Sequence, residues 1–203
     1  MALITTKKML PRTTLENDSV KLTVLQKSDW QHLIDLAKDS SLWSYFPVDL
    51  SENDSFHSWL DSRITLMDEG EWLPYLVYSK TFGKYVGLTC YLSIDEPNKV
   101  IEVGGTWYGT QFHGTDVNPN CKILMMSHAF ETLGFQRLEY KTDVLNERSR
   151  RAIMKLGAKE DGVLRSNRIV QGERRRDTIY YSILAKEWPE VKAKLASRIA
   201  SYK

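Results

Sequence analysis

The sequence predicts a mixed α/β fold, a mostly antiparallel central sheet flanked by helices, rather than a doubly wound parallel one. Three observations predict it. Three β-rich segments, WLPYLVY, KYVGLTCYLSI and KVIEVGGTWY, follow one another between Glu71 and Tyr108 with only a Gly83 turn and a Pro97-Asn98 turn between them, which reads as an antiparallel meander. Segments of helical period lie before and after this block. The order βαα, βββ, α, β, α, ββ, α lacks the regular strand–helix alternation of a doubly wound sheet.

Taken in order, Ser19 to Leu25 alternates around Val20, Leu22 and Val24 and predicts a strand. Ser28 with Gln31 forms a capping-box pattern ahead of Leu33, Ile34 and Ala37, a short helix. A second helix is expected after Ser51, with Phe56, Leu60, Ile64 and Met67 on its apolar face and Gly70 at its end. After the meander, KILMMSHAFETL has helical period, with Ile123, Met126, Phe130 and Leu133 on one stripe and Gly134 as its cap. RLEYKTDV is a strand, and NERSRRAIMKLG a helix opened by Asn146 and closed by Gly157. A hairpin from about Gly162 to Leu184 turns near Gln171-Gly172. Pro189 then opens a last helix carrying Val191, Leu195 and Ile199.

With 203 residues, 42% hydrophobic and 27% charged, the chain can bury one sizeable core. A single domain over 1–203 is expected, with about 1–18 as an N-terminal extension and about 189–203 as a C-terminal helix. The net charge is +2, but it is uneven: residues 1–135 hold 11 Lys/Arg against 17 Asp/Glu, and residues 136–203 hold 17 against 9. Cys90 and Cys121 fit neither a disulfide framework nor a metal pattern, and His32, His57, His113 and His128 show no metal spacing. No metal is expected. The N-terminus lacks the regions of a signal peptide and no apolar run approaches 18 residues, so a cytoplasmic protein without membrane spans is expected.

The stretch WYGTQFHGTDVNPN, from Trp107 to Asn120, joins a strand to a helix. The first N–H groups of a helix lack internal partners and its dipole presents partial positive charge, so such a junction suits an anion. Gly114 supplies φ > 0 or a close backbone approach. On these residues alone an ordinary strand-to-helix turn, with Gly114 needed only for φ > 0, is the simpler account.

The order of elements and four strings, IEVGGTWY, QFHGTDVN with its helix, LEYKTDVLNERSRRAIMKLGA and DTIYYSILAKEWPEVK, resemble the GNAT superfamily of acyl-CoA-dependent N-acetyltransferases over about residues 21–181. Within it they resemble the Rim-type branch, the ribosomal-protein N-terminal acetyltransferases. The resemblance implies a GNAT-like acyl-CoA acyltransferase fold, acetyl-CoA as co-substrate and an amine as acceptor. The family loop reads Q/R-x-x-G-x-G/A, and its amides cradle the pyrophosphate of coenzyme A. By that likeness Gln111, Gly114, Thr115, Asp116 and Val117 are the loop and first-turn positions. Asp116 departs from the pattern, since a carboxylate 4 Å from a phosphate charge repels it by about 1 kcal/mol in water and more when buried. It escapes this if it turns to cap the helix. The resemblance also implies that β-strand backbone near Trp107 and Tyr108 bonds the pantetheine arm, that Asn146 lies against that arm, and that Ser149 stands near the sulfur.

Acetyl transfer needs a neutral amine, and a general base supplies it. Glu102 is the candidate: it is a carboxylate in the apolar run VIEVGGTW, and similar enzymes use a glutamate of this strand, directly or through water. Strand alternation puts Ile101, Val103 and Trp107 on one face and Glu102, Gly104 and Thr106 on the other. A salt-bridged or solvated glutamate is the competing account. Gly104-Gly105 marks a bulge. Arg148, Arg150, Arg151, Arg165, Arg168 and Arg174 to Arg176 form the basic third, a solvated face or a set of contacts to the cofactor's 3′-phosphate or to an acidic acceptor. Neither cysteine suits an acyl-enzyme, so direct attack in a ternary complex is expected. Two other function classes compete: a GNAT-fold binding or regulatory module weakened by Asp116, and an RNA- or ribosome-associated protein using the basic third. The second is disfavoured because no aromatics interleave those arginines. DNA is not expected as a partner, and acceptor and oligomeric state stay open.

Overall fold

The computed structural model describes residues 9–202. It contains one eight-stranded sheet in the order β1-β2-β3-β4-β5-β6-β8-β7. The strands are β1 (Leu15–Glu16), β2 (Val20–Val24), β3 (Trp72–Ser79), β4 (Lys84–Asp95), β5 (Val100–Tyr108), β6 (Arg137–Asp143), β7 (Lys159–Ile169) and β8 (Arg175–Leu184). The helices are α1 (Trp30–Ala37), α2 (Asn53–Asp68), α3 (Val117–Ser127), α4 (Glu147–Met154) and α5 (Trp188–Ala200). Every neighbouring pair is antiparallel except β5 and β6, so the mixed, mostly antiparallel sheet is the one the sequence predicts.

The sheet buries both faces. On one, Tyr75, Val77, Tyr91 and Ile101 pack with Val117, Cys121 and Met125 of α3, Ile153 of α4 and Leu195 of α5. On the other, Leu76, Leu88, Cys90 and Trp107 pack with Leu33 of α1 and Phe56 and Leu60 of α2. The last strand in sequence is not the last in space, because β8 inserts between β6 and β7.

The structure adds to some local expectations and changes others. Part of the N-terminal extension is structured: Leu10 and Leu15 are buried, and β1 pairs with β2; residues 1–8 lie outside the described residues. The capping box before α1 is made by Gln26 and Asp29, not Ser28 and Gln31, because Ser28 already lies inside a short 3-10 turn. The second helix does begin after Ser51, with Glu52 as its N-cap. The buried side of α3 is centred on Val117, Cys121, Met125 and Ala129, rotated from the predicted stripe; Ile123, Phe130 and Leu133 are only partly buried, while Met126 is fully so.

The largest correction lies in β5. Leu88 faces Trp107 but Cys90 faces Gly104, so two residues of β5, Gly105 and Thr106, lie opposite Thr89 alone. Gly105 takes φ +56, a conformation a glycine reaches without a Cβ clash. One extra residue inverts the alternation beyond it. Ile101 and Val103 therefore face α3, whereas Trp107 faces α1 and α2, beside Trp43 at 5.1 Å and Phe56 at 6.0 Å. Thr106 turns to the α3 side.

Candidate active site

β5 and β6 are hydrogen-bonded neighbours only at Val100–Arg137, Ile101–Leu138 and Glu102–Glu139. Beyond this the bulged β5 continues along β4 while β6 stays in register with β8 as far as Asp143, so the two strands part. Each then presents an edge of peptide groups to the gap, which an extended amide-bearing arm can satisfy as an added strand would. A cavity of about 420 Å³ fills the gap and is lined from both faces of the sheet. Trp107 Nε1, Tyr140 Oη, Thr178 Oγ1 and Arg176 Nε are buried in its wall without a partner among the described residues. Buried polar atoms are normally bonded, so their collection here marks a place built for a polar ligand.

The mouth on the α3 side is the loop Phe112–Asn118. Gly114 has φ +76 and only open space where a Cβ would stand. The N–H groups of Gly114, Thr115 and Asp116 meet no acceptor among the described residues, so they remain available to an anion ahead of α3. His113 is half-buried and its ring is fixed. Its Nε2 lies 3.0 Å from the carbonyl of Tyr108, which can only accept, and its Nδ1 lies 3.0 Å from the Arg148 guanidinium, which can only donate. The neutral Nε2–H tautomer satisfies both. Burial, and then Arg148, holds His113 below its ordinary pKa.

The mouth on the α1–α2 side carries Glu102 under Leu42, Phe46, Trp59 and Trp72. Glu102 Oε2 accepts from the Ser93 hydroxyl at 2.9 Å and pairs with Lys141 at 3.0 Å. Oε1 has no donor among the described residues and lies 3.2 Å from the point where a Cβ on Gly104 would stand. Glycine at 104 thus leaves the face of Oε1 open to the cavity.

Residues 20–159 match the acetyltransferase (GNAT) domain family. The chain belongs to the GNAT acetyltransferase family. This makes it an acyltransferase of the N-acetyltransferase type. It is 26% identical over 178 residues to the Bacillus subtilis (strain 168) protein named "Putative ribosomal N-acetyltransferase YdaF", covering 85% of this chain and 94% of that one. A solved GCN5-related N-acetyltransferase from Brucella melitensis superposes with a TM-score of 0.87 at 26% identity, covering 95% of this chain and 87% of that one. Mycobacterium smegmatis RimJ, solved in complex with CoA-disulfide, superposes with a TM-score of 0.78 at 19% identity over 92% of this chain and 95% of that one, a likeness of fold. The Rim-type branch suggested by the sequence thus has a counterpart in the name of the relative YdaF.

Within this GNAT fold the predicted site residues divide. Glu102, Trp107, Tyr108, Gly114, Asn146 and Ser149 all line the cavity. Asn146 caps α4 through Oδ1, which accepts the Ser149 N–H at 3.0 Å, leaving the Asn146 amide and the Ser149 hydroxyl free of partners among the described residues. Gln111, Thr115, Asp116 and Val117 stand outside the cavity wall: Gln111 is exposed, Thr115 donates its hydroxyl to Phe112 O, and Val117 is core. Asp116 is the N-cap residue but makes no side-chain cap; its Oδ2 instead accepts from the Asn120 amide at 3.2 Å, and Asn120 in turn accepts from Asn17 at 2.9 Å. The awkward carboxylate is turned into a polar chain along α3. His113, in the same loop, is half-buried in the cavity wall.

Sequence reasoning missed Lys122. It is 4% exposed in α3, lines the cavity, and donates to Thr89 Oγ1 and Thr106 Oγ1, both at 2.7 Å. No carboxylate pairs with it among the described residues, and burial pulls it down to about 8. A single cation inside the apolar run CKILMM was the available signal. Cys90 and Cys121 are fully buried, and burial pushes both thiols up to about 12, which suits small core groups and not nucleophiles. Among the described residues no helix is long and apolar enough to cross a membrane.

Proposed function

We propose that the protein transfers the acetyl group of acetyl-CoA to a primary amine, a protein N-terminus or a small amine, by direct attack in a ternary complex. The observation that carries this is the parting of β5 from β6 after Glu102, with one cavity running from the free amides ahead of α3 to the open carboxylate oxygen of Glu102. Acetyl-CoA supplies the acyl group as a thioester. The edges of β5 and β6 bind its arm, the N–H groups of Gly114 to Asp116 bind phosphate, and Arg148 and His113 brace that loop. With Asp116 turned to Asn120, the ground for a weakened binding module recedes.

On the acceptor side, Glu102 Oε1 takes the ammonium proton, directly or through water, while Lys141 and Ser93 hold Oε2 in place. Lys122 sets a fixed positive charge in a low-dielectric wall beside Thr106, which favours negative charge as it develops on a reacting carbonyl. Ser149 offers a free hydroxyl at the N-terminus of α4 to a leaving thiolate. The buried, unactivated cysteines leave direct attack as the route.

The test is Glu102→Gln, assayed by thiol release from acetyl-CoA across a panel of amines. Turnover should fall by roughly a hundredfold, with coenzyme A affinity unchanged; Lys141 keeps Glu139 at 3.2 Å, so the fold survives. Unaltered turnover would remove Glu102 from the reaction.

A further inference from the structure

The α1–α2 side of the cleft holds more positive charge than its carboxylates neutralise. Arg63 of α2, Arg168 of β7 and Arg176 of β8 all line the cavity, and Arg168 and Arg176 are partners across the β7–β8 hairpin. The acids around them are already engaged. Glu102 and Glu139 pair with Lys141, and Asp143 is bound by Arg174 on one oxygen and by the Leu145 N–H on the other. Arg63, Arg168 and Arg176 form no ion pair among the described residues. Arg63 lies with its guanidinium carbon 4.2 Å from the Trp72 ring centroid and 5.2 Å from that of Trp59, and its side chain bonds only Ser62 Oγ.

Arg176 is the decisive group. It is 9% exposed, and its Nε is buried without an acceptor. Burial holds its guanidinium below the ordinary range; Asp143 and Glu102 offset this in part, while Arg168 and Arg174 oppose them. A buried cation without a counter-ion is costly, and an arginine fork matches a carboxylate or phosphate in two parallel bonds.

These arginines are not placed for the cofactor's phosphates. In β8, Ile179, Tyr181 and Ile183 belong to the core on the α3 side, so the alternate residues Arg176, Thr178 and Tyr180 project to the opposite face, with Glu102 and Lys141. The phosphate-competent loop opens on the α3 side.

We propose that the acceptor carries an anionic group, a carboxylate or a phosphate, beside its amine, and that Arg176, flanked by Arg63 and Arg168, binds it so that the amine is directed at Glu102. This rests on the acetyltransferase reading above and names its substrate class. An acidic peptide N-terminus and a small phosphorylated amine share the required chemistry.

The test uses protein saturated with coenzyme A, so that binding is read without turnover. Calorimetry compares the peptide amides Ala-Glu-Glu-Ala and Ala-Gln-Gln-Ala, and separately 2-aminoethyl phosphate and ethanolamine. In at least one pair the anionic ligand should bind roughly tenfold or more tightly, and the pair that shows the margin identifies the source. Arg176→Gln should abolish the margin and Arg63→Gln should narrow it; the second variant carries the test if the first fails to fold. Equal affinities in both pairs, or a margin unchanged in the folded variants, would overturn the proposal. Turnover of neutral amines without a margin leaves the acetyltransferase reading standing and sinks this one. A margin without turnover of any amine would keep an anion site at Arg176 but sink the acetyltransferase reading, and with it the claim that the bound ligand is an acceptor.

Discussion

Replacing Lys122 by methionine should alter how stability depends on pH. Lys122 is buried, and its ammonium is pulled from an ordinary 10.5 to about 8. Between those values the unfolded chain binds more protons than the folded one, so stability rises with pH. The burial penalty is fully present below about 8 and is relieved as pH approaches 10.5. At about 1.4 kcal/mol per pH unit, the whole shift corresponds to roughly 3 kcal/mol. Methionine keeps the apolar stem and removes the charge. It leaves no hydroxyl stranded, because Thr89 and Thr106 bond each other at 2.8 Å. The assay is guanidinium denaturation of both proteins at pH 7, 8, 9 and 10. The folded thiols of Cys90 and Cys121, coupled to Lys122 but pushed up to about 12 by burial, stay protonated up to pH 10 in both proteins, so subtracting the two curves isolates Lys122. The wild type should gain on Lys122→Met by roughly 2 to 3 kcal/mol between pH 8 and 10. Parallel curves over that range would refute the account of Lys122 as a buried, unpaired cation.

Two further outcomes follow from side chains that face away from solvent or ligand. Asp116→Asn should change coenzyme A affinity by less than about twofold, because the carboxylate points to Asn120; a carboxylate facing the phosphates would cost about 1 kcal/mol or more, and its removal would tighten calorimetric binding about fivefold. Cys90 and Cys121 should not react with Ellman's reagent at pH 8 until the protein is unfolded, and fast labelling of either in the native state would contradict their burial.

Much of the fold was legible because its signals are local. Turn residues at Gly83 and Pro97-Asn98 isolate the meander, Asn146 caps α4, and the hairpin turns at Gln171-Gly172, as the structure has them. The loop was legible through Gly114 and its place before a helix. What escaped depends on contacts that periodicity does not encode. Gly104-Gly105 announced a bulge, but alternation was carried through it, so Trp107 was assigned to the wrong face; one inserted residue is enough for that. The α3 stripe was misplaced because the helix is covered by both the sheet and α5, which buries more than one narrow face. Lys122, Arg63 and Arg176 come from three separate elements and line one cavity only through the sheet topology. No spacing along the chain links them.

The account depends on the gap between β5 and β6 being where the cofactor arm lies. Hydrogen exchange with and without saturating coenzyme A tests this directly, since an arm laid along those edges must protect their amides. Protection is predicted at Val103–Tyr108, at Tyr140–Asp143 and in the loop Phe112–Asn118. Saturable binding that leaves these amides unchanged, or no binding at millimolar coenzyme A, would contradict it.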